Sequence, residues 1–189
     1  KAAQKVSDDI LVEDTGSSDD TIAICKKMGA RVIEKSWVNY SVNKNFGNEQ
    51  AKHDWILSID ADEVLSDDLI ESLKNLEVKK GKVYSLDRIS NYCGKWIRYG
   101  GWYPDWKVRL FNRKEVKWKG DFVHEILDIP SNFEDIRLKG KLWHYSYKNK
   151  KDFENRVSKY TNLAAKELLK KNKKATHYLI IYSFNSCSN

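Results

Sequence analysis

The segment Trp55 to Glu63, "WILSIDADE", drives an apolar run into three acids within four residues, Asp60, Asp62 and Glu63. Carboxylates packed this closely repel one another unless something positive sits among them. A hard divalent cation, Mg²⁺ or Mn²⁺, suits the spacing, because such ions take one or two protein carboxylates and complete their shell with phosphates and water. A metal held there would bridge Asp62 to a diphosphate and neutralise the charge that develops on a leaving group. A solvated strand end with helix-capping acids accounts for the same spacing, and a bare Asp-x-Asp arises by chance in a chain this rich in Asp. Position sharpens the metal reading, since the pair closes an apolar strand and precedes a helix.

The elements that must carry these acids alternate. "DDILVED" (8–14) reads as a buried strand, and "TGSSDD" as a turn with helix-capping candidates. "TIAICKKMGA" reads as a short amphipathic helix capped by Gly29, and "RVIEKSW" as a second strand. "SVNKNFGNEQAKHD" reads as helical in its second half, "WILSID" as a third strand, and "SDDLIESLKNL" as a helix capped by Ser66 with acids in its first turn. Strand and helix in alternation predict a parallel sheet covered by helices, with ligands at the carboxyl ends of the strands. Asp14 ends one strand, Asp60 and Asp62 another, so both groups are expected at one edge. After Gly81, "KVYSLDRIS", "KWIRYGGWY", "KVRLFNR" and "EVKWKGDF" read as strands. Helical period returns in "DFENRVSKYTNLAAKELLKK", with Phe153, Val157, Tyr160, Ala164 and Leu168 on one face.

Composition narrows the function. The 189 residues suffice for one domain with an appendage, and the net charge of +7 is carried by 147–174, where ten Lys and Arg face three Asp and Glu. The remaining body is neutral overall, which argues against nucleic acid as a partner. Three scattered cysteines, Cys25, Cys93 and Cys187, show no metal-type spacing and suit a reducing cytoplasm. The run Tyr178 to Phe184 is too short to cross a bilayer. The basic helix either packs its apolar stripe on the body or lies peripherally on the anionic cytoplasmic face of an inner membrane.

Taken in order, "VEDTGSSDDTIAICKKMGARVIEKSW", "NKNFGNEQAKHDWILSIDADE", "GGWYPDWKVRLFNR", "VHEIL", "GKLWHYSY" and "RVSKYTNLAA" resemble the family 2 glycosyltransferases, over about residues 6 to 170. Within the family they look most like the bacterial subgroup containing lipopolysaccharide-core β-glucosyltransferases. The resemblance implies an α/β GT-A (Rossmann-like) mixed sheet flanked by helices, with a β-rich acceptor-side insertion and the C-terminal basic amphipathic helix. It places a catalytic domain at 1–146, divided into a nucleotide-sugar half (1–80) and an acceptor half (81–146), and a helical extension at 147–189.

The same resemblance assigns roles. Asp14 would help hold base and ribose, Lys44 and Asn45 would lie beside the nucleotide, and Asp60 would lie near the ribose. Asp62 would ligate a divalent metal, Mn²⁺ or Mg²⁺, and His124 would steady the metal or the diphosphate, although a structural His serves as well. Family members invert the sugar carbon in one displacement, which requires one base on the acceptor hydroxyl. Glu125 of "VHE" is the preferred base and Asp105 the alternative. Trp102, Tyr103 and Trp106 would stack on acceptor sugars, or else pack a hairpin. Arg98 and Arg109 would pair with phosphates, or else form structural ion pairs. The expected partners are a UDP-sugar and a glycan or lipid-linked acceptor of lipopolysaccharide assembly.

Family members open with a strand that carries the first contacts to the base. Here "KAAQKVSDD" reads as the end of the following helix, so the resemblance implies an N-terminally truncated domain, its missing edge supplied by strand swapping or a homodimer. Two other functions remain in view. One is a truncated, inactive glycosyltransferase-like binding domain. The other is a nucleotidyltransferase, which would normally show a Gly-rich phosphate loop absent from this sequence.

Overall fold

The computed structural model describes residues 1–120 and 125–170. A 3₁₀ turn at Ala3–Lys5 leads to strand β1 (Leu11–Asp14), helix α1 (Thr21–Lys27) and strand β2 (Arg31–Glu34), which pairs parallel with β1. Helix α1 stops where the sequence says it should. Gly29 takes φ +78°, its N–H donates to the Lys26 carbonyl, and the Ala30 N–H donates to that of Cys25, the paired bonds that close a helix through a left-handed residue. Arg31 at the head of β2 donates two bonds to the Asp9 carboxylate, which also accepts from the Lys52 N–H, tying this pair of strands to the next connection.

Helix α2 (Tyr40–Gln50) begins earlier than the sequence suggests and ends before "AKHD". The reason is a cap: the Asn39 side chain accepts from the Val42 N–H and starts the helix there. Strand β3 (Trp55–Leu57) follows. The acids then run not into a helix but into a further short strand, β4 (Glu63–Leu65), before helix α3 (Asp67–Lys74), whose cap is Ser66 as expected.

The β-rich part supplies β5 (Lys82–Tyr92), β6 (Lys95–Trp96), β7 (Asp105–Asn112), β8 (Lys117–Lys119), β9 (Ile126–Asp128) and β10 (Glu134–Tyr147). "KWIRYGGWY" is therefore mostly loop: only Lys95 and Trp96 pair, and Gly100 and Gly101 both take positive φ. The main sheet runs β3–β7–β5–β10–β4, with β6 on β5. It is mixed, because β5 and β10 are parallel while β3–β7, β5–β7 and β4–β10 are antiparallel. The fold is a curled mixed α/β sheet flanked by helices.

Both faces of this sheet carry a buried cluster, and the alternation of side chains along β5 and β7 feeds each in turn. Tyr84, Leu86 and Leu110 join Leu65, Leu69, Ile70 and Leu142 under α3. Their neighbours Val83 and Phe111 point the other way, into a second cluster with Val116 and Trp118. Burial of each large side chain contributes about 1.5–3 kcal/mol, so the register of β5 and β7 is strongly specified. At Gly140 (φ +106°) strand β10 bulges against α3, and a Cβ there would lie 2.3 Å from the Leu69 nitrogen. Helix α4 (Lys150–Lys170) closes the described chain, and no described helix is long and apolar enough to cross a membrane.

Candidate functional site

The connection from β3 to β4 links the two end strands of the main sheet order, so residues 58–62 lead past strands that lie between them. Three of those strands aim a positive or polar group at the acids. Arg109 of β7 donates to Asp60 at 2.8 Å and to Glu63 at 2.5 Å. Arg88 of β5 lies 3.4 Å from Glu63, and His144 of β10 has Nε2 3.5 Å from Asp62. The repulsion apparent in "DADE" is thus offset by protein cations reaching over from neighbouring strands. Glu63 is a structural member of the knot: its side chain is fully buried, and it also accepts the Asp60 N–H. Of the two readings of Arg109, the ion pair is the one observed.

Asp60 also faces Lys44 of α2. The Lys44 ammonium stands 3.5 Å from Asp60, 3.1 Å from Glu125 and 4.4 Å from the centre of the Trp118 ring. Lys44, Asp60 and Glu125 therefore converge. Asn45 is next to Lys44 but turned to another task, since its amide exchanges two hydrogen bonds with the Trp118 backbone and docks β8 on α2. Asp14 closes β1 with its carboxylate accepting from the Gly16 and Ser17 N–H groups and the Ser17 hydroxyl, which shapes the loop that follows.

Asp62 sits apart from that cluster. Its partners are His144 and, at 3.4 Å, the Arg156 guanidinium of α4. His144 is oriented by Ser146, 2.9 Å from Nδ1, with Ser90 at 3.3 Å. Burial raises the pKa of both Asp60 and Asp62, but neighbouring groups outweigh it and hold each below the ordinary carboxylate value: Arg109 and Lys44 for the first, the His144 imidazole and Arg156 for the second.

Asp105 lies at the start of β7 in a polar cavity of about 280 Å³, lined also by Arg88, Ser90, Trp102, Lys107 and His144. Arg88 grips Asp105 through Nε at 2.8 Å and Nη2 at 2.7 Å, and Lys107 adds a contact at 2.9 Å. Burial raises this carboxyl too, and Arg88 with Lys107 pulls it down further than burial lifts it. A larger cavity, about 400 Å³ beside Arg113, contains none of these acids.

Of the aromatic candidates, Trp102 lines the polar cavity, edge-on to Tyr92 and Tyr147. Tyr103 donates to Asp87 and accepts from Lys141, and Trp106 lies under the Arg137 guanidinium, so both are engaged in holding the loop and strand. Arg98 is exposed. His124 lies outside the described residues. Sequence reasoning assigned no role to His144 or Arg156. The first stood in "GKLWHYSY", and an isolated His at the end of a strand-like run was the available signal.

Comparison with known proteins shows the family of the chain. Residues 2–132 match the family model for glycosyl transferase family 2. The chain belongs to that family. Among its relatives are uncharacterized glycosyltransferases of Rickettsia typhi and Rickettsia prowazekii, each 30% identical over 195 residues and aligned over 94% of this chain. This family member spans 64% of the length of those relatives. The lipopolysaccharide core biosynthesis glycosyltransferase LpsC of Rhizobium meliloti is 26% identical over 187 residues, covering 93% of this chain and 67% of that protein. The matched family region includes β1 through β9, and with them Asp14, Lys44, Asp60, Asp62 and Asp105.

Proposed function

We propose that this chain is the sugar-transferring part of an inverting glycosyltransferase. It would move a hexose from a UDP-sugar to a hydroxyl of a surface glycan or lipid-linked acceptor, as in lipopolysaccharide assembly. The observation that carries the reading is the position of Lys44, whose single ammonium serves both Asp60 and Glu125. An acid of the donor segment and a candidate base thereby meet at one point, although they come from distant parts of the chain.

Glu125 is the better base of the two candidates. A base must be free to come within hydrogen-bond reach of the hydroxyl it deprotonates, and a carboxylate gripped by several cations is not. Asp105 is held by Arg88 and Lys107 with its pKa depressed, while Glu125 meets Lys44 alone among the described contacts. Asp105 instead orients Arg88 in the acceptor-side cavity, beside Trp102, where a sugar ring would lie.

The donor set suits a hard cation held sparingly. Asp62 is part-exposed and monodentate towards its neighbours, with the imidazole of His144 beside it. Among the described residues no three ligating side chains converge on one point, so a bound ion would draw most of its shell from a diphosphate and water. Bound there, Mn²⁺ or Mg²⁺ would stabilise the departing diphosphate. Asp62 would hold it, Asp60 would remain with Arg109 and Lys44 as a fixed acceptor for a ribose hydroxyl, and Asp14 would shape the loop beneath the nucleotide.

Calorimetric titration of UDP into the protein, with Mn²⁺ and then with EDTA, tests this. Metal-dependent binding that is lost in Asp62→Ala supports the donor site. Binding unaffected by EDTA and by the substitution removes the mechanism and leaves a sugar- or partner-binding domain of the same fold.

A further inference from the structure

Helix α4 is held over the site by three residues on one face, at the i, i+3, i+7 spacing that aligns side chains along a helix. Phe153 enters an aromatic group with Tyr92 at 5.6 Å and Tyr147 at 5.1 Å. One turn on, Arg156 reaches Asp62. A further turn on, Tyr160 comes close enough to Tyr40 at the start of α2 that, after burial, it helps raise the pKa of the Tyr40 hydroxyl. The helix therefore passes over the acids from β10 to α2. It does not seal them by packing: Val157 and Tyr160, expected to be buried, are each 39% exposed.

Arg156 differs from the other cations at the site. Arg109 is buried between two carboxylates, and Lys44 is sandwiched between Asp60, Glu125 and an indole. The Arg156 guanidinium is 37% exposed and touches Asp62 through one nitrogen at 3.4 Å, with Nε 3.5 Å from Asp152 and its plane 5.6 Å from the Tyr147 ring centre. A half-solvated, single-point pair of this kind contributes about 0–1 kcal/mol, so it is readily exchanged. A divalent cation held by Asp62 would compete with the guanidinium for the carboxylate's charge and repel it. The displaced guanidinium, still tethered by Asp152 and Tyr147, would stay within reach of whatever anion accompanies that cation, and its fork matches phosphate oxygens.

On the glycosyltransferase reading above, we propose that Arg156 is the exchangeable cation of the donor site: it neutralises Asp62 when no metal is present, yields Asp62 to the metal, and then binds the diphosphate of the donor, so that α4 closes over it.

The test uses the chain as it stands, with Mn²⁺ alone, UDP in the presence of Mn²⁺, and uridine as calorimetric titrants for wild type, Arg156→Gln and Arg156→Lys. Removing a competitor for Asp62 should tighten binding of Mn²⁺ alone in Arg156→Gln by about two- to fivefold. Removing a phosphate ligand should weaken UDP by about tenfold or more, with uridine unchanged. Lys keeps the charge but not the fork, so Arg156→Lys should fall between wild type and Gln for both ligands. Opposite movements are the signature, because a merely structural Arg156 would weaken both ligands together, and that result, like no change in either, overturns the proposal. If UDP binds wild type normally and only these shifts fail, the donor site stands and the role of Arg156 falls. If UDP fails to bind wild type at all, the donor-site reading falls and takes this inference with it.

Discussion

Two acids two residues apart, Asp60 and Asp62, are treated by this fold in opposite ways. Asp60, with 39% of its own side chain in solvent, shares a buried guanidinium with Glu63, and that Arg–Glu pair has side chains 5% and 0% exposed, so Asp60 is distinguished by its clamp and not by its depth. Asp62 faces an imidazole and a helix-borne guanidinium across 3.4–3.5 Å, with 30% of its own side chain in solvent. The first arrangement fixes where the β3–β4 connection lies. The second puts both contacts on one carboxylate oxygen, Oδ2. Carboxylates clamped by several cations hold the architecture here, and on the reading proposed above those touched lightly are the ones that would meet metal and acceptor. The same contrast separates Asp105, gripped by Arg88 and Lys107, from Glu125, met by Lys44.

The sharpest test of that contrast is at the candidate base. Glu125→Gln should lower the sugar-transfer rate by about 10²- to 10⁴-fold, the usual worth of a general base, while UDP binding persists. Asp105→Asn should cost the chemical step far less and act mainly on acceptor KM. Steady-state rates with varied acceptor separate the two, and the reverse ranking would make Asp105 the base.

Next in size is the buried pair. Arg109→Met strands Glu63 without its main counter-charge, and removing one partner of a buried pair costs about 3–5 kcal/mol. Arg156→Met, at the exposed end of the same knot, should cost about 0–1 kcal/mol. Urea denaturation of both variants measures the gap, and equal costs would break the comparison.

The smallest effect is the response to acid. Asp60 and Asp62 have folded-state pKa values below the ordinary 3.8. A depressed folded pKa gives stability that is fully present above the unfolded value and is lost as pH falls through the folded one. Stability should therefore decline below about pH 4, and Asp62→Asn should flatten part of that decline without changing stability at neutral pH by more than about 1 kcal/mol. Urea midpoints across the acid range read this directly.

Much of the local structure was legible beforehand because its causes are local. Ser66 caps α3 through the Leu69 N–H three residues on, and Gly29 ends α1 because it accepts a positive φ. The start of α2 is also local, in Asn39, but the more polar stretch after it carries the stronger helical signal. Strand β4 was harder to see. Three residues cannot display a period, and Glu63 at its head looks like a helix-capping acid until β10 pairs with it. The aromatic segment after Lys95 has strand-like composition, but its two glycines and the Tyr103–Asp87 bond hold it as a loop.

By itself the sequence determined that an acid-rich turn follows an apolar strand, that strands and helices alternate before a β-rich part, and that the closing helix is basic and amphipathic. Those features depend on side-chain periodicity and on capping within a few residues. Only the tertiary structure decided which cation meets which acid. Glu63 and Arg109 are 46 residues apart, and Asp62 and Arg156 are 94 apart. No local rule links positions at such separations. Which carboxylate is clamped by a buried guanidinium, and which is met by lighter contacts, follows from the order in which strands stack and from the face that α4 lays across them.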